Sequence, residues 1–468
     1  MKKYLVLTGA AILVMALTMP ASAQMLTKSW GHIEFQTVWE SKSDFNTGAQ
    51  TLRSGGSADN QNLTYKVMYE RFRLYIQHGD PKTVRAVIGF EGDSSNWGEP
   101  KNTNANNISS GGQMGVYGTD QVQLEIKHAY LEFVIPNTPL TATIGMQGFV
   151  LGRGRPLFIN NDAPGIRLTA KFAPHEVSVG WWRENDGASS SSAASRTTWE
   201  VRENYFFEYE LKQKAFNFYA WGNYQNDNRG FIHDMPYWLG VGGGAKPGNF
   251  SISGQLVYVG GTKENYTGAL VKQDYAAYAA EVLGEYQIGP GLSAGAELFY
   301  ATGNDANDTQ KIKTYPVATS SEARSGFGND RTVIFWMASG VIGYQHNIQS
   351  DYGGFWYGRL FGTYSPTKWL QLIANYLYIG DTSTGNPANV GTGGNINSPT
   401  GARQVKDEDF VGHEINVIAK LNIYPGFTYT MGLATFLPGD MYASYTGTTK
   451  TKSPEQAWAF NTRLIYNF

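Results

Sequence analysis

Residues 458–468 read Trp458-Ala459-Phe460-Asn461-Thr462-Arg463-Leu464-Ile465-Tyr466-Asn467-Phe468. The even positions are mostly apolar and aromatic, the odd ones mostly small, polar or charged. Successive side chains of a strand point to opposite faces, so this stretch reads as a strand with one apolar face and one wet face. The same beat runs upstream. Phe427, Tyr429, Met431 and Leu433 share a face, as do Leu370, Leu372, Ala374, Tyr376 and Tyr378, and again Val84, Ala86, Ile88 and Phe90.

Two kinds of connection alternate between these runs. Tight turns, most of them marked by proline or glycine, fall at 78–81, 136–139, 173–176, 213–215, 246–249, 289–291, 365–368 and 424–426. Long polar stretches fall at 41–62, 93–119, 184–198, 302–330, 381–408 and 438–456. A meander with tight turns at one rim and long loops at the other is what a closed barrel requires. The spacing predicts an all-β fold: a transmembrane antiparallel up-and-down β-barrel of about 18 strands (16–18), with short periplasmic turns and long extracellular loops. One apolar run, 332–348, lies inside the longest connection. It fits a hairpin above the membrane, a loop folded into the lumen, or a further strand pair.

Composition agrees. Lys2 and Lys3, an apolar stretch over 4–20 and Ala21-Ser22-Ala23 form a secretory signal peptide, 1–23, leaving 24–468 as a single outer-membrane barrel domain. The chain has no cysteine, which excludes a disulfide scaffold, a thiolate metal site and a lipoprotein anchor. Tyr 29, Phe 24 and Trp 12 stand beside a mean hydropathy of only -0.34, the signature of alternating lipid-facing and lumen-facing residues. A net charge of -2 gives no support to nucleic-acid binding.

If the apolar faces look outward, the other parity looks inward. Arg71, Arg73, Arg85, Arg167 and Lys171 then form a basic inner wall on early strands. Glu208, Glu210, Glu281, Glu285, Glu297 and Glu414 form a later acidic one, interrupted by Arg359, Lys420 and Arg463. Facing walls of opposite sign would set a transverse field that favours polar solutes; plain ion pairing within the wall is the simpler alternative. The segment 148–162 follows the fifth strand, is rich enough in glycine to bend inward, and carries Arg153, Arg155 and Asp162. It is the candidate constriction. The residues expected to filter solutes are therefore Arg71, Arg73, Arg85, Arg153, Arg155, Arg167 and Lys171, with Asp162, Glu208, Glu210, Glu285 and Glu297 opposite.

Catalytic patterns are weak. None of the seven histidines forms a close metal-ligand spacing, and adjacent His413 and Glu414 would point to opposite faces of a strand. No catalytic residue, metal ligand or cofactor is expected.

The signal peptide, the rhythm of turns and loops, and the strand ending on Phe468 together resemble the porin and porin-like channels of Gram-negative outer membranes. That resemblance implies a water-filled channel for passive diffusion of small hydrophilic solutes and ions. It implies an integral place in the outer membrane among lipid and lipopolysaccharide, Phe468 as the signal read by the barrel-assembly machinery, and a homotrimer. The Arg-Gly-Arg segment is similar, more loosely, to the eighteen-stranded alginate-export barrels. A substrate-specific channel or polysaccharide exporter is therefore the alternative, with an outer-membrane enzyme or scaffold barrel behind it.

Overall fold

The structure is a computed structural model that describes residues 27–41, 64–96, 124–152, 157–185, 201–228, 232–266, 270–305, 308–317, 331–334, 353–384, 409–439, 444–446, 449–453 and 456–468. Residues 1–23, Arg153, Arg155, most of the long connections and 335–348 of the apolar run lie outside the described residues.

The alternating runs become strands. In chain order they are β1 (Lys28–Ser41), β2 (Thr64–Asp80), β3 (Val84–Asn96), β4 (Glu125–Val134), β5 (Leu140–Val150), β6 (Asn160–Phe172) and β7 (His175–Asn185). Next are β8 (Arg202–Lys212), β9 (Phe216–Asp227), β10 (Ile232–Ala245), β11 (Phe250–Asn265), β12 (Val271–Tyr275), β13 (Ala277–Gly289), β14 (Leu292–Ala301) and β15 (Lys311–Ile312). The last are β16 (Phe355–Thr367), β17 (Leu370–Asp381), β18 (Phe410–Tyr424), β19 (Phe427–Pro438), β20 (Ser444–Thr446), β21 (Thr449–Lys452) and β22 (Ala457–Asn467).

Four of these are short additions: β12, β15, β20 and β21. The other 18 form one antiparallel wall, each strand paired to the wall strand before it. It closes where β22 lies between β19 and β1, with pairs from Ser41↔Trp458 to His32↔Asn467. Gly31 and Phe468 then exchange two backbone hydrogen bonds of 3.0 Å. All eight tight turns fall within about two residues of where the sequence places them; β2 runs on to Asp80 and β16 to Thr367 before the chain turns.

The two faces are sorted as the period requires. Tyr376, Tyr378, Ile415, Val417 and Leu433 are exposed on the outside. Their strand neighbours Asn375, Leu377, Glu414, Asn416 and Ala434 are buried on the inside. Burial is thus inverted relative to a water-soluble protein, as a lipid-facing wall demands.

Followed from pair to pair, the register returns to β1 about 22 residues further along than it left. With ordinary strand spacing, that shear tilts 18 strands by roughly 40° and opens the backbone cylinder to a radius of roughly 17 Å. Side chains cannot meet across such a width. The interior can be narrowed only if main chain enters it.

Among the described residues, main chain enters twice. β5 pairs with β4 only as far as Met146↔Ala129, and β6 with β7 only as far as Gly165↔Trp182, although β4 and β7 run on to Glu125 and Asn185. Beyond those pairs β5 and β6 stay paired to each other up to Val150↔Asn160 and lean inward as a ribbon. Gly145 marks the bend. Its φ is 128°, and a Cβ there would lie 2.3 Å from the Ala129 carbonyl oxygen, so no larger residue fits. The second entry comes from the connection after β14, through 312–317 and 331–334. Thr332, Val333 and Ile334 are buried, so the start of the apolar run is folded into the lumen.

Candidate functional site: the lumen wall and its inserted segments

Aromatic side chains seat the ribbon. Phe149 stacks on Trp182 at 4.9 Å and meets Phe206 at 5.9 Å; Phe158 lies 4.3 Å from Trp238 and 5.5 Å from Trp221. Such ring pairs contribute about 1 kcal/mol each beyond the area they bury. Trp221 itself lies flat over Gly240, where a Cβ would come within 2.2 Å of the indole. A glycine there lets a large ring hug the wall.

The second segment is hooked to the first and to the wall. The Tyr315 hydroxyl donates to the Leu157 carbonyl at 2.9 Å, and Trp238 Nε1 donates to the Pro316 carbonyl at 3.0 Å. Glu414, fully enclosed on β18, accepts the backbone N–H groups of Val333 at 2.6 Å and Ile334 at 3.3 Å. Glu297 accepts from Arg331 at 3.0 Å, Arg359 at 2.6 Å and the Tyr357 hydroxyl at 2.5 Å. These carboxylates satisfy donors that would otherwise be buried without partners. Together the two segments line the inner faces of the middle strands with protein.

On the other side, β1–β4 and β22 present charge. Arg73 Nε and Lys127 Nζ lie 2.6 Å and 2.7 Å from Glu91, with Arg71 Nε at 3.5 Å. Arg85 pairs with Glu132 at 2.8 Å, and Arg463 with Glu34 at 2.5 Å. The carboxylates of Glu34 and Glu91 keep only 2% and 4% of their side-chain surface, whereas Arg71, Arg73, Arg85 and Arg463 keep 16%, 18%, 25% and 23%. Glu34 and Glu91 are tucked at the wall with guanidinium groups in front of them, whereas Glu132 is nearly as exposed as its partner Arg85. An ion pair so oriented turns its positive end to the lumen.

The candidate residues thus fall into several groups. Arg71 and Arg73 sit together on β2 against Glu91, while Arg85 lies toward the turn end of β3 against Glu132. Asp162 joins this side rather than standing across from it: Lys127 Nζ is 2.7 Å from Oδ2 and His128 Nε2 is 2.7 Å from Oδ1. Arg167 lies between the Phe149 and Phe206 rings, at 5.2 Å and 5.3 Å. Lys171 is at the turn end of β6, 3.9 Å from Glu176, and Glu210 pairs with Lys212 at 2.9 Å. Glu208 is buried on β8, Glu285 accepts from Ser293 at 2.5 Å, and Glu297 anchors the second segment. His413 contacts Tyr376 on the outer face while Glu414 points inward, so the two share no chemistry.

Sequence reasoning missed Glu34, Glu91, Lys127, His128 and Glu132. Glu34, Glu91 and Glu132 occupy inward parity and could have been read from it. His128 shares the parity of Glu132 and could have been read the same way; Lys127 could not, because the β3–β4 register shifts between Gly89 and Phe90 and breaks the alternation there.

A closed 18-stranded wall, apolar outside and charged within, with two chain segments folded into its lumen, is the architecture of porin-like outer-membrane barrels. Among solved structures, the fold is similar to OccAB3 of Acinetobacter baumannii, at TM-score 0.52 and 10% identity over 94% of this chain and 100% of that one. OccAB1 of the same organism gives 0.51 and 12% over 94% and 96%, and OccK1 (OpdK) of Pseudomonas aeruginosa 0.50 and 9% over 94% and 98%. At such identities the likeness is one of fold. No family model matches the sequence, nor does any curated protein.

Proposed function

We propose that this chain is an outer-membrane porin: a water-filled channel through which small hydrophilic solutes and ions diffuse passively down their own gradients. The observation that carries this is the uneven lining. The inserted segments cover the middle strands, while the guanidinium groups of Arg71, Arg73, Arg85 and Arg463 stay partly exposed on β1–β4 and β22. Water must reach such charges, and solutes that tolerate them can follow. The same layout supports a second reading, a channel selective for particular solutes that carry negative charge. The chain's net charge of -2 weighs against an exporter of a polyanion.

The reading extends to matters of assembly. Residues 1–23 are removed after export, Phe468 is read during assembly, and three copies associate among lipid and lipopolysaccharide. The channel catalyses nothing. Single-channel recording of the refolded protein in a planar bilayer tests the reading, with reversal potential measured under a salt gradient. Steady ohmic steps are expected, and R71Q/R73Q shifts the reversal potential toward cation preference. Absence of steps from a correctly folded barrel rejects the porin.

A further inference from the structure

The ribbon formed by β5 and β6 leaves the wall at a fork. On one side β4 continues upward without it, and the gap between them is bridged at one charged point. Asp162, on the face of the ribbon turned back toward β4, receives Lys127 Nζ and His128 Nε2, both at 2.7 Å. Those two donors lie beside the register shift in β4, which brings consecutive residues to one acceptor. Gly148 lies beside the pair: a Cβ there would make ordinary contacts, 3.5 Å from Asp162 Oδ1 and 3.8 Å from His128 Nε2. The imidazole is in turn held between the Tyr75 ring at 5.2 Å and the Tyr130 ring at 5.9 Å.

We propose that Lys127 and His128 are positioning residues for the constriction, gripping Asp162 so that the fork stays narrow and the ribbon keeps one lean across the lumen. The inference rests on the porin reading. A ribbon without wall partners on either edge has many angles open to it. The aromatic contacts and the Tyr315–Leu157 hydrogen bond at its far end fix where it lands, but at the fork itself apolar contacts would set the lean only weakly, because they are not directional. A charged group with two donors is directional. The charged neighbours of the grip are Glu91, Arg71 and Arg73, and Lys127 is shared with Glu91 at the same distance as with Asp162. Losing the aspartate charge therefore sends Lys127 wholly to Glu91 and frees the ribbon.

Single-channel recording of Asp162→Asn, His128→Phe and His128→Gln, side by side with the unaltered barrel, tests this. Asparagine is nearly isosteric with aspartate, so folding is kept. In Asp162→Asn, transitions between conductance levels become about ten-fold more frequent, the factor carried by one charge-assisted hydrogen bond. His128→Phe keeps a ring between Tyr75 and Tyr130 but cannot donate, and shows the same increase. His128→Gln still donates and stays close to the unaltered barrel. If the unaltered barrel conducts and Asp162→Asn is equally quiet, the proposal is overturned while the porin stands. If His128→Gln is as noisy as His128→Phe, the histidine acts by packing and its positioning role is overturned. If the unaltered barrel is silent, the porin reading itself fails, and this inference falls with it.

Discussion

Glu34 is enclosed on the inner wall, where it accepts from Arg463 and from the Gln36 amide. An enclosed carboxylate is tolerable while that partnership lasts. Arg463→Ala takes away the ion-pair partner, leaving the Gln36 amide to hold the charge, and is expected to lower the unfolding free energy by about 1–3 kcal/mol, measured by denaturant titration of the refolded barrel. Adding Glu34→Gln to that variant recovers most of the loss, because the charge that lost its counter-ion is gone. Glycine carries a different constraint. Gly240→Ala places a methyl where the Trp221 indole lies, so the ring must tilt off the wall into Phe158. A shift in tryptophan emission and a loss of about 2 kcal/mol are expected, the usual scale of overpacking.

At the level of elements, the strands and their turns were legible because lipid and water impose a strict period of two and most of the tight turns carry proline or glycine. The early arginines were legible for the same reason: parity alone puts Arg71, Arg73 and Arg85 inside. Their partners were harder to see. Whether a charge is paired depends on its neighbours across strands, and the register is set by bulges the period does not reveal. Asp162 shows the limit: it has outward parity in β6 yet sits among inward groups, because the ribbon has left the wall. Beyond β14, Lys313 bridges Asp305 at 2.8 Å and Asp308 at 3.1 Å. The hydrogen bond from Lys313 holds the Asp308 carboxyl below its usual range, and bonds to Asp305 and Asp308 raise the Lys313 ammonium above its own. The clip is intact at neutral pH, loosens in acid as Asp308 takes a proton, and loosens in strong alkali as Lys313 loses one. Protection of the Gln310 and Lys311 amides, which donate to Asp308, should therefore hold flat near neutrality and fall only toward acid or strongly alkaline pH.

At the scale of the whole molecule, width is the governing quantity. Eighteen strands enclose more space than side chains can fill, so the width left open inside the wall is set by whatever main chain enters the lumen and how firmly it is held. Seventeen of the wall pairings join strands that follow one another in the wall, and these can zip up in sequence. The remaining one, between β22 and β1, joins groups as far apart as Glu34 and Arg463, a separation of 429 residues. Closing so long a loop is the entropically dearest contact in the fold, and it becomes cheap only after its neighbours have brought the edges together. Until then β1 and β19 are two open edges, each presenting the template that β22 must occupy. A free peptide of sequence 457–468, supplied during refolding, therefore competes with the chain's own last strand, and the yield of closed barrel should fall as its concentration rises. Once closed, the barrel has no edge left to bind it, so the same peptide added afterwards has no effect.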